Sequence, residues 1–166
     1  DCIISDMTAG PSPEGTGGWQ IRVVSDGSPA ASAFQLSFEV LRADGNGIQS
    51  QASPSIDADN RWVFVAVTYT SDLVQRYYLG SESEGVDQIG GLAYYTFPLL
   101  PNPAELRIGS ASSEPTVDRT PPGWIDDVRI YDRALRVAEL EDVRLENLGY
   151  AHLHALPGFV ALGGVP

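Results

Sequence analysis

The chain contains no lysine. All 10 of its basic residues are arginine, they face 22 acids, and the formal net charge is -12 over 166 residues. A surface of that sign repels polyanions and attracts cations, which excludes nucleic acid as the expected partner. Cysteine is nearly absent too. Cys2 stands alone, so no internal disulfide and no cysteine-based zinc site can form, and this thiol could pair only with another molecule. No apolar run approaches the roughly 20 residues of a membrane span. There is no Gly-x-Ser-x-Gly elbow, no glycine-rich phosphate loop ahead of a helix, and no repeat with a period of about 20–50 residues. The chain opens at Asp1 without a methionine or a leader-like run, as expected of a processed or trimmed chain, and export would fit that.

Against these absences, 43% hydrophobic residues, 17 glycines and 12 prolines describe a turn-rich chain with apolar surface for one packed domain. Residues 1–18 end in "SDMTAGPSPEGTGG", the composition of a flexible or extended segment, and order is expected from near Trp19. "WQIRV" alternates Trp19, Ile21 and Val23 against Gln20 and Arg22. "FQLSFEV" alternates Phe34, Leu36, Phe38 and Val40 against Gln35, Ser37 and Glu39. Both patterns predict half-buried strands, and the "DGNG" that follows supplies a tight hairpin before a return strand over 48–51. "RWVFVAVTYTSD" is apolar on both faces and predicts a central strand, with Trp19 and Trp62 at core positions. Short strands follow over 74–79, 94–97 and 105–108, and another over 124–131. One helix spans about 136–147 with Val137, Leu140 and Val143 on one stripe and Gly149 as its cap. The fold class is all-β, an antiparallel sandwich with one short C-terminal helix. The domain occupies 19–148 and an apolar tail occupies 149–166.

Four stretches, in order, resemble the laminin-G-like domains of the concanavalin A-like lectin and glucanase superfamily: "RWVFVAVTYTSD", "VQRYYLGSES", "AELRIGS" and "GWIDDVRIYDRALRVAEL". The resemblance is strongest over 62–143. It implies a two-sheet jelly roll, export, frequent calcium binding, and use in glycan binding or adhesion. This chain departs from the pattern at both ends. A long inner strand ahead of Ile3 and Ile4 has no counterpart, and a further run follows the helix. A sheet lacking an inner strand exposes unpaired backbone groups and invites another strand. "LPGFVALGG" suits that role through Phe159, Val160, Ala161 and Leu162, in its own domain or a neighbouring copy, with Cys2 available at the other end of the chain as an assembly thiol.

Period two along 124–131 places Asp126 on the apolar face with Val128 and Ile130, and Asp127 on the opposite face. A carboxylate so placed must be paired or hydrogen-bonded, so Asp126 reads as a brace at the strand-to-helix corner. The alternative is calcium ligation with Asp57, Asp59 and Asp118, since calcium needs several oxygens. Glucanases of this superfamily carry paired carboxylates on one strand, for acid and nucleophile work. No strand here has that spacing, so no catalytic residue is assigned. Glu139, Glu141, Asp142 and Glu146 read as a solvated helix face with Glu141 near Arg144. His152 and His154 form a His-x-His pair with no third ligand beside it. Tyr77, Tyr78, Tyr94 and Tyr95 are the candidates for a glycan-stacking platform. The expected function is a noncatalytic extracellular module for glycan or protein binding. The alternative is a structural subunit of an extracellular filament or surface layer, assembled by strand complementation.

Overall fold

A computed structural model describes residues 2–6, 17–25, 33–41, 48–57, 61–99, 106–109 and 123–148. Its elements are β1 (Cys2–Ser5), β2 (Trp19–Ser25), β3 (Ala33–Leu41), β4 (Ile48–Ala52), β5 (Ile56–Asp57), β6 (Val63–Tyr69), β7 (Val74–Ser81), β8 (Asp87–Tyr94), β9 (Arg107–Ile108) and α1 (Val137–Asn147). One sheet runs β4-β3-β2-β1-β9 with β5 beside β3, and a second runs β6-β7-β8. Every pairing is antiparallel.

The alternation of β2 and β3 is what builds the core. Their register sets Trp19 against Val40, Ile21 against Phe38 and Val23 against Leu36. A register even in both strands puts all the apolar members on one face, where they meet Tyr77, Val65, Leu79 and Ile89 of the second sheet. The expected return strand is present as β4, with Leu41 opposite Ile48.

Two tyrosine hydroxyls tie the sheets together at Phe38. The Phe38 N–H donates to Tyr77 Oη at 2.6 Å, the Tyr77 hydroxyl donates to the Gln51 carbonyl at 2.5 Å, and the Tyr95 hydroxyl donates to the Phe38 carbonyl at 2.7 Å. Phe38 and Gln51 are cross-strand partners, so the phenols stand in for a rung of the β3–β4 ladder. Burial raises the pKa of both hydroxyls well above the ordinary tyrosine value, which keeps them as donors.

The helix is held by a second polar cluster. Leu140 and Val143 pack against Tyr78 and Val86, while Val137, expected on the same stripe, is exposed. Arg144 is buried, donates from Nη1 to the Ser81 carbonyl at 2.6 Å, and pairs through Nε with Glu141 Oε2 at 2.9 Å. The same Glu141 oxygen accepts the Val86 N–H at 2.9 Å. This replaces the expected solvated Glu141–Arg144 pair, because the β7–β8 turn folds over it. Gly80 makes room: a Cβ there would lie 2.9 Å from Arg144 Cδ. At the helix start, Glu139 accepts the Arg136 N–H at 2.8 Å, one half of a capping box.

Five expectations are corrected. Ordered structure starts at β1 rather than near Trp19, because Cys2–Ser5 pairs with both β2 and β9. The strand expected over 94–97 is β8, Asp87–Tyr94, which carries a bulge at Gly90 and Gly91. Residues 124–131 form no strand, since Asp127 takes a left-handed φ of 48° that breaks the extended path. Trp62 is 53% exposed, just ahead of an edge strand. That edge strand is β6, expected to be central and found at the end of its sheet with mostly half-buried residues.

Two outcomes follow from these ties. Tyr77→Phe keeps the ring and removes the hydroxyl, which should lower stability by about 1–3 kcal/mol, read as a lower urea midpoint at unchanged slope. An unchanged midpoint would mean that Phe38 and Gln51 pair without the phenol. The Arg144 guanidinium, and then the Val86 N–H, hold the Glu141 carboxyl below its ordinary range, although partial burial opposes them. A carboxyl depressed on folding binds fewer protons folded than unfolded, so its contribution is present above about pH 4.3 and is lost as pH falls through the folded value. The wild-type urea midpoint should fall between about pH 5 and about pH 3, and Glu141→Gln should fall less over that window. Equal losses in the two proteins would sink the assignment.

Candidate functional site

Three of the four tyrosines predicted as site residues serve the fold. Tyr77 and Tyr95 are buried and their hydroxyls are committed to Phe38 and Gln51. Tyr78 is buried beneath α1. Only Tyr94, at 65% exposure, faces solvent, so the four do not form a platform. Adjacent residues on a strand do point to opposite faces. Here one face meets the first sheet and the other meets the helix, and both are covered.

The acids are dispersed. Asp126 is exposed rather than inward, and its carboxylate accepts the Asp127 N–H at 2.9 Å. The bracing falls to its neighbour: Asp127 Oδ1 takes Arg129 Nε at 3.0 Å, and Arg129 also bonds Glu146 of α1. The left-handed turn at Asp127 interrupts the alternation that period two had assigned. Asp57 is exposed on β5, where its carbonyl accepts from Arg61 Nη2 at 2.9 Å. Among the described residues no cluster of three or more His, Cys, Asp or Glu side chains could hold a metal ion. Asp59, Asp118, His152, His154, Gly149 and Phe159–Leu162 lie outside the described residues.

Cys2 is fully buried and its Sγ–H donates to the Ile4 carbonyl at 3.3 Å. Burial raises its pKa, so the thiol expected for assembly is neither at the surface nor readily ionised. Near it, Glu39 is a buried carboxylate that accepts from Gln20 Nε2 at 2.5 Å and from Arg22 Nη1 at 3.2 Å. It is satisfied by its strand neighbours.

Two concave features stand out among the described residues, and sequence reasoning identified neither. The larger is an apolar cleft of about 500 Å³ along β6, walled on the far side by residues 125–135 and floored by core side chains such as Phe38, Tyr69 and Leu36. β6 pairs with β7 on one side, and in an antiparallel ladder every second residue turns its N–H and C=O to the other side. None of those outward groups has a partner among the described residues. Ile125, Val128 and Ile130 face this cleft and are 38%, 37% and 53% exposed. The signal was in the sequence: VFVAVTY is built to be covered on both faces.

The smaller feature is a cavity of about 140 Å³ at the β8 bulge, between Gly90–Leu92 and the β4–β5 connection. Tyr77 pairs with Ile89 and Gln75 with Ala93, so Gly90, Gly91 and Leu92 oppose the single residue Arg76. Gly90 sits at a φ of +71° and a Cβ there would lie 2.8 Å from Pro54 Cδ, so glycine is required. Gln75 lines the cavity, is 1% exposed, and has no hydrogen-bond partner at either amide atom. An unpaired buried amide costs roughly 1–3 kcal/mol, which sets Gln75 apart from the other buried polar side chains among the described residues.

A comparison with family models matches a laminin-G model, described as concanavalin A-like lectin/glucanases superfamily, over residues 3–141. Neither the curated proteins nor the solved structures returned a match. The match covers most of the chain, and the two antiparallel sheets with one short helix are the architecture it describes. The chain belongs to the concanavalin A-like lectin/glucanase superfamily as a laminin-G-like domain.

Proposed function

We propose that this domain is a noncatalytic, extracellular binding and adhesion module, and that a protein partner docks along β6 by adding a strand. The carrying observation is the β6 edge, without a partner strand among the described residues, beside a 500 Å³ apolar cleft. Backbone groups on a sheet edge give affinity to an extended chain, and side-chain pockets on either face give it specificity. Ile125, Val128 and Ile130 on the opposite wall supply apolar contact for the outer side of such a strand. Family membership supports a carbohydrate- or protein-binding role, and no helix among the described residues is long and apolar enough to cross a membrane.

A second reading makes the partner another copy of this chain, in a filament or surface layer. The run Phe159–Leu162 favours it, because a strand inserted between two walls is buried on both faces and needs consecutive apolar residues. Residues 149–166 contain no Asp, Glu, Lys or Arg.

A panel of apolar decapeptides, including one matching residues 156–165, tests both readings by fluorescence anisotropy on the full chain. Binders should lose about tenfold or more in affinity when a central residue is changed to proline, which deletes a backbone donor. Ile130→Lys in the domain should weaken them similarly. Retention of no peptide, or indifference to the proline, would overturn strand addition. Light scattering at two concentrations addresses the second reading: growth in mass with concentration supports self-assembly, and a constant monomer removes it.

A further inference from the structure

We propose that Cys2 and Gln20 form an internal thioester, in which the Cys2 sulfur replaces the amide nitrogen of Gln20 and ties β1 covalently to β2. The bond lies on the side of the first sheet away from the core, and it does not depend on strand addition at β6.

Strand register brings the reacting groups together. Ile21 and Phe38 are cross-strand partners on the core face of the first sheet, so Gln20, opposite Glu39, belongs to the other face. Along β1 the register slips by one residue between Cys2 and Ile4, which sets Cys2 opposite Arg22 and on the same face as Gln20. Cys2, Gln20 and Glu39 therefore stand side by side across three adjacent strands, and all three are buried. Cys2 Sγ lies 4.0 Å from Gln20 Oε1, and Glu39 Oε2 accepts from Gln20 Nε2 at 2.5 Å. A carbonyl bond is about 1.2 Å long, so the sulfur is within about 5 Å of the carbon it must reach, a gap that side-chain rotation can close. The carboxamide is held between a nucleophile on its oxygen side and a proton-accepting group on its nitrogen.

These groups suffice for the reaction. The sulfur bonds to Gln20 Cδ to give a tetrahedral carbon, and the thiol proton passes to Nε2 by way of the Glu39 carboxylate. The Cδ–Nε2 bond then breaks with its electron pair on nitrogen, and one ammonia leaves. No oxidant or cofactor is consumed. An amide is the more stable acyl group, and two features offset that: fixed neighbours react with effective molarities of roughly 10⁵–10⁸ M, and the ammonia is lost to bulk solvent. Burial keeps water from the acyl carbon and so protects the product from hydrolysis. Burial also raises the thiol pKa, against which the Arg22 guanidinium acts. With one cysteine and no lysine, the chain can form neither a disulfide nor a lysine-to-carboxylate cross-link, so an acyl partner for Cys2 is the staple open to it. The ring spans 18 positions that include "AGPSPEGTGG", and its closure removes conformations from the unfolded chain.

The test is the intact mass and thiol content of the full chain, purified without amines, thiols or reductants. The expected mass is below that of the sequence by one ammonia. In denaturant no thiol should react with an aromatic disulfide reagent until hydroxylamine is added, which cleaves the thioester to a free Cys2 thiol and a Gln20 hydroxamate. Cys2→Ala and Gln20→Ala should each carry their full sequence mass. Two results would overturn the inference: a wild type of full mass whose Cys2 titrates without hydroxylamine, or a loss of ammonia that persists in Cys2→Ala, which would place it at another amide. Both readouts are taken on the unfolded chain, so neither depends on how a variant folds. Neither uses peptide binding at β6, so the two proposals succeed or fail separately.

Discussion

Phe38 is the residue on which the two sheets depend. Its backbone N–H and C=O are both held by phenols from the opposite layer, Tyr77 of β7 and Tyr95 just after β8. Its ring meets Trp19 at a centroid distance of 6.3 Å and Tyr69 and Tyr95 at 5.8 Å each. A sandwich is ordinarily joined by apolar contact alone, which is non-directional and permits one sheet to slide on the other. Directional bonds from buried hydroxyls to one strand backbone fix the relative position of the layers. The ladder between β3 and β4 opens at Phe38 and Gln51 to receive them. The tyrosines thus act as cross-members of the fold, which is why they are not free to serve as a ligand platform.

That tie makes the molecule asymmetric. On the β7–β8 side the layers are closed by the phenols and by α1, whose Arg144 and Glu141 reach the Ser81 carbonyl and the Val86 N–H. On the β6 side the sheet ends in a strand whose outward groups have no partner among the described residues, and the cleft runs from that edge into the core. Both concave features therefore sit where regular pairing stops, one at a bulge and one at an edge. Interruptions of this kind are where backbone and buried polar groups become available to a partner. The rest of the sandwich leaves few such groups: Glu39 is surrounded by Gln20 and Arg22, and Cys2 is enclosed.

Local alternation carried a large part of the fold. β2 and β3 stand where period two places them, β4 where the hairpin signal does, β6 and β7 within two residues of their expected runs, and the helix within a residue of its expected span. The failures have local causes too. The two glycines of β8 signal a turn and a bulge equally well, and the choice depends on β7 lying alongside. The strand expected over 124–131 fails at one dihedral, the left-handed Asp127, which moves the bracing role from Asp126 to Asp127. Gln75 gave no signal at all. A glutamine next to Val74 looks like any outward polar residue of an alternating strand.

The sequence by itself determined which residues can form strands, which faces are apolar, and membership of a superfamily built on two such sheets, because these depend on neighbours one to four positions away. Only the tertiary structure decided that VFVAVTY ends a sheet, that three tyrosines are structural, and that one amide is left without a partner. Those outcomes depend on which strand lies beside which, and the groups that meet are far apart in the chain: Tyr77 and Phe38 are separated by 39 positions and Arg144 and Ser81 by 63. No period in the sequence records such a meeting, since it is set by sheet order and by the packing of one layer on another.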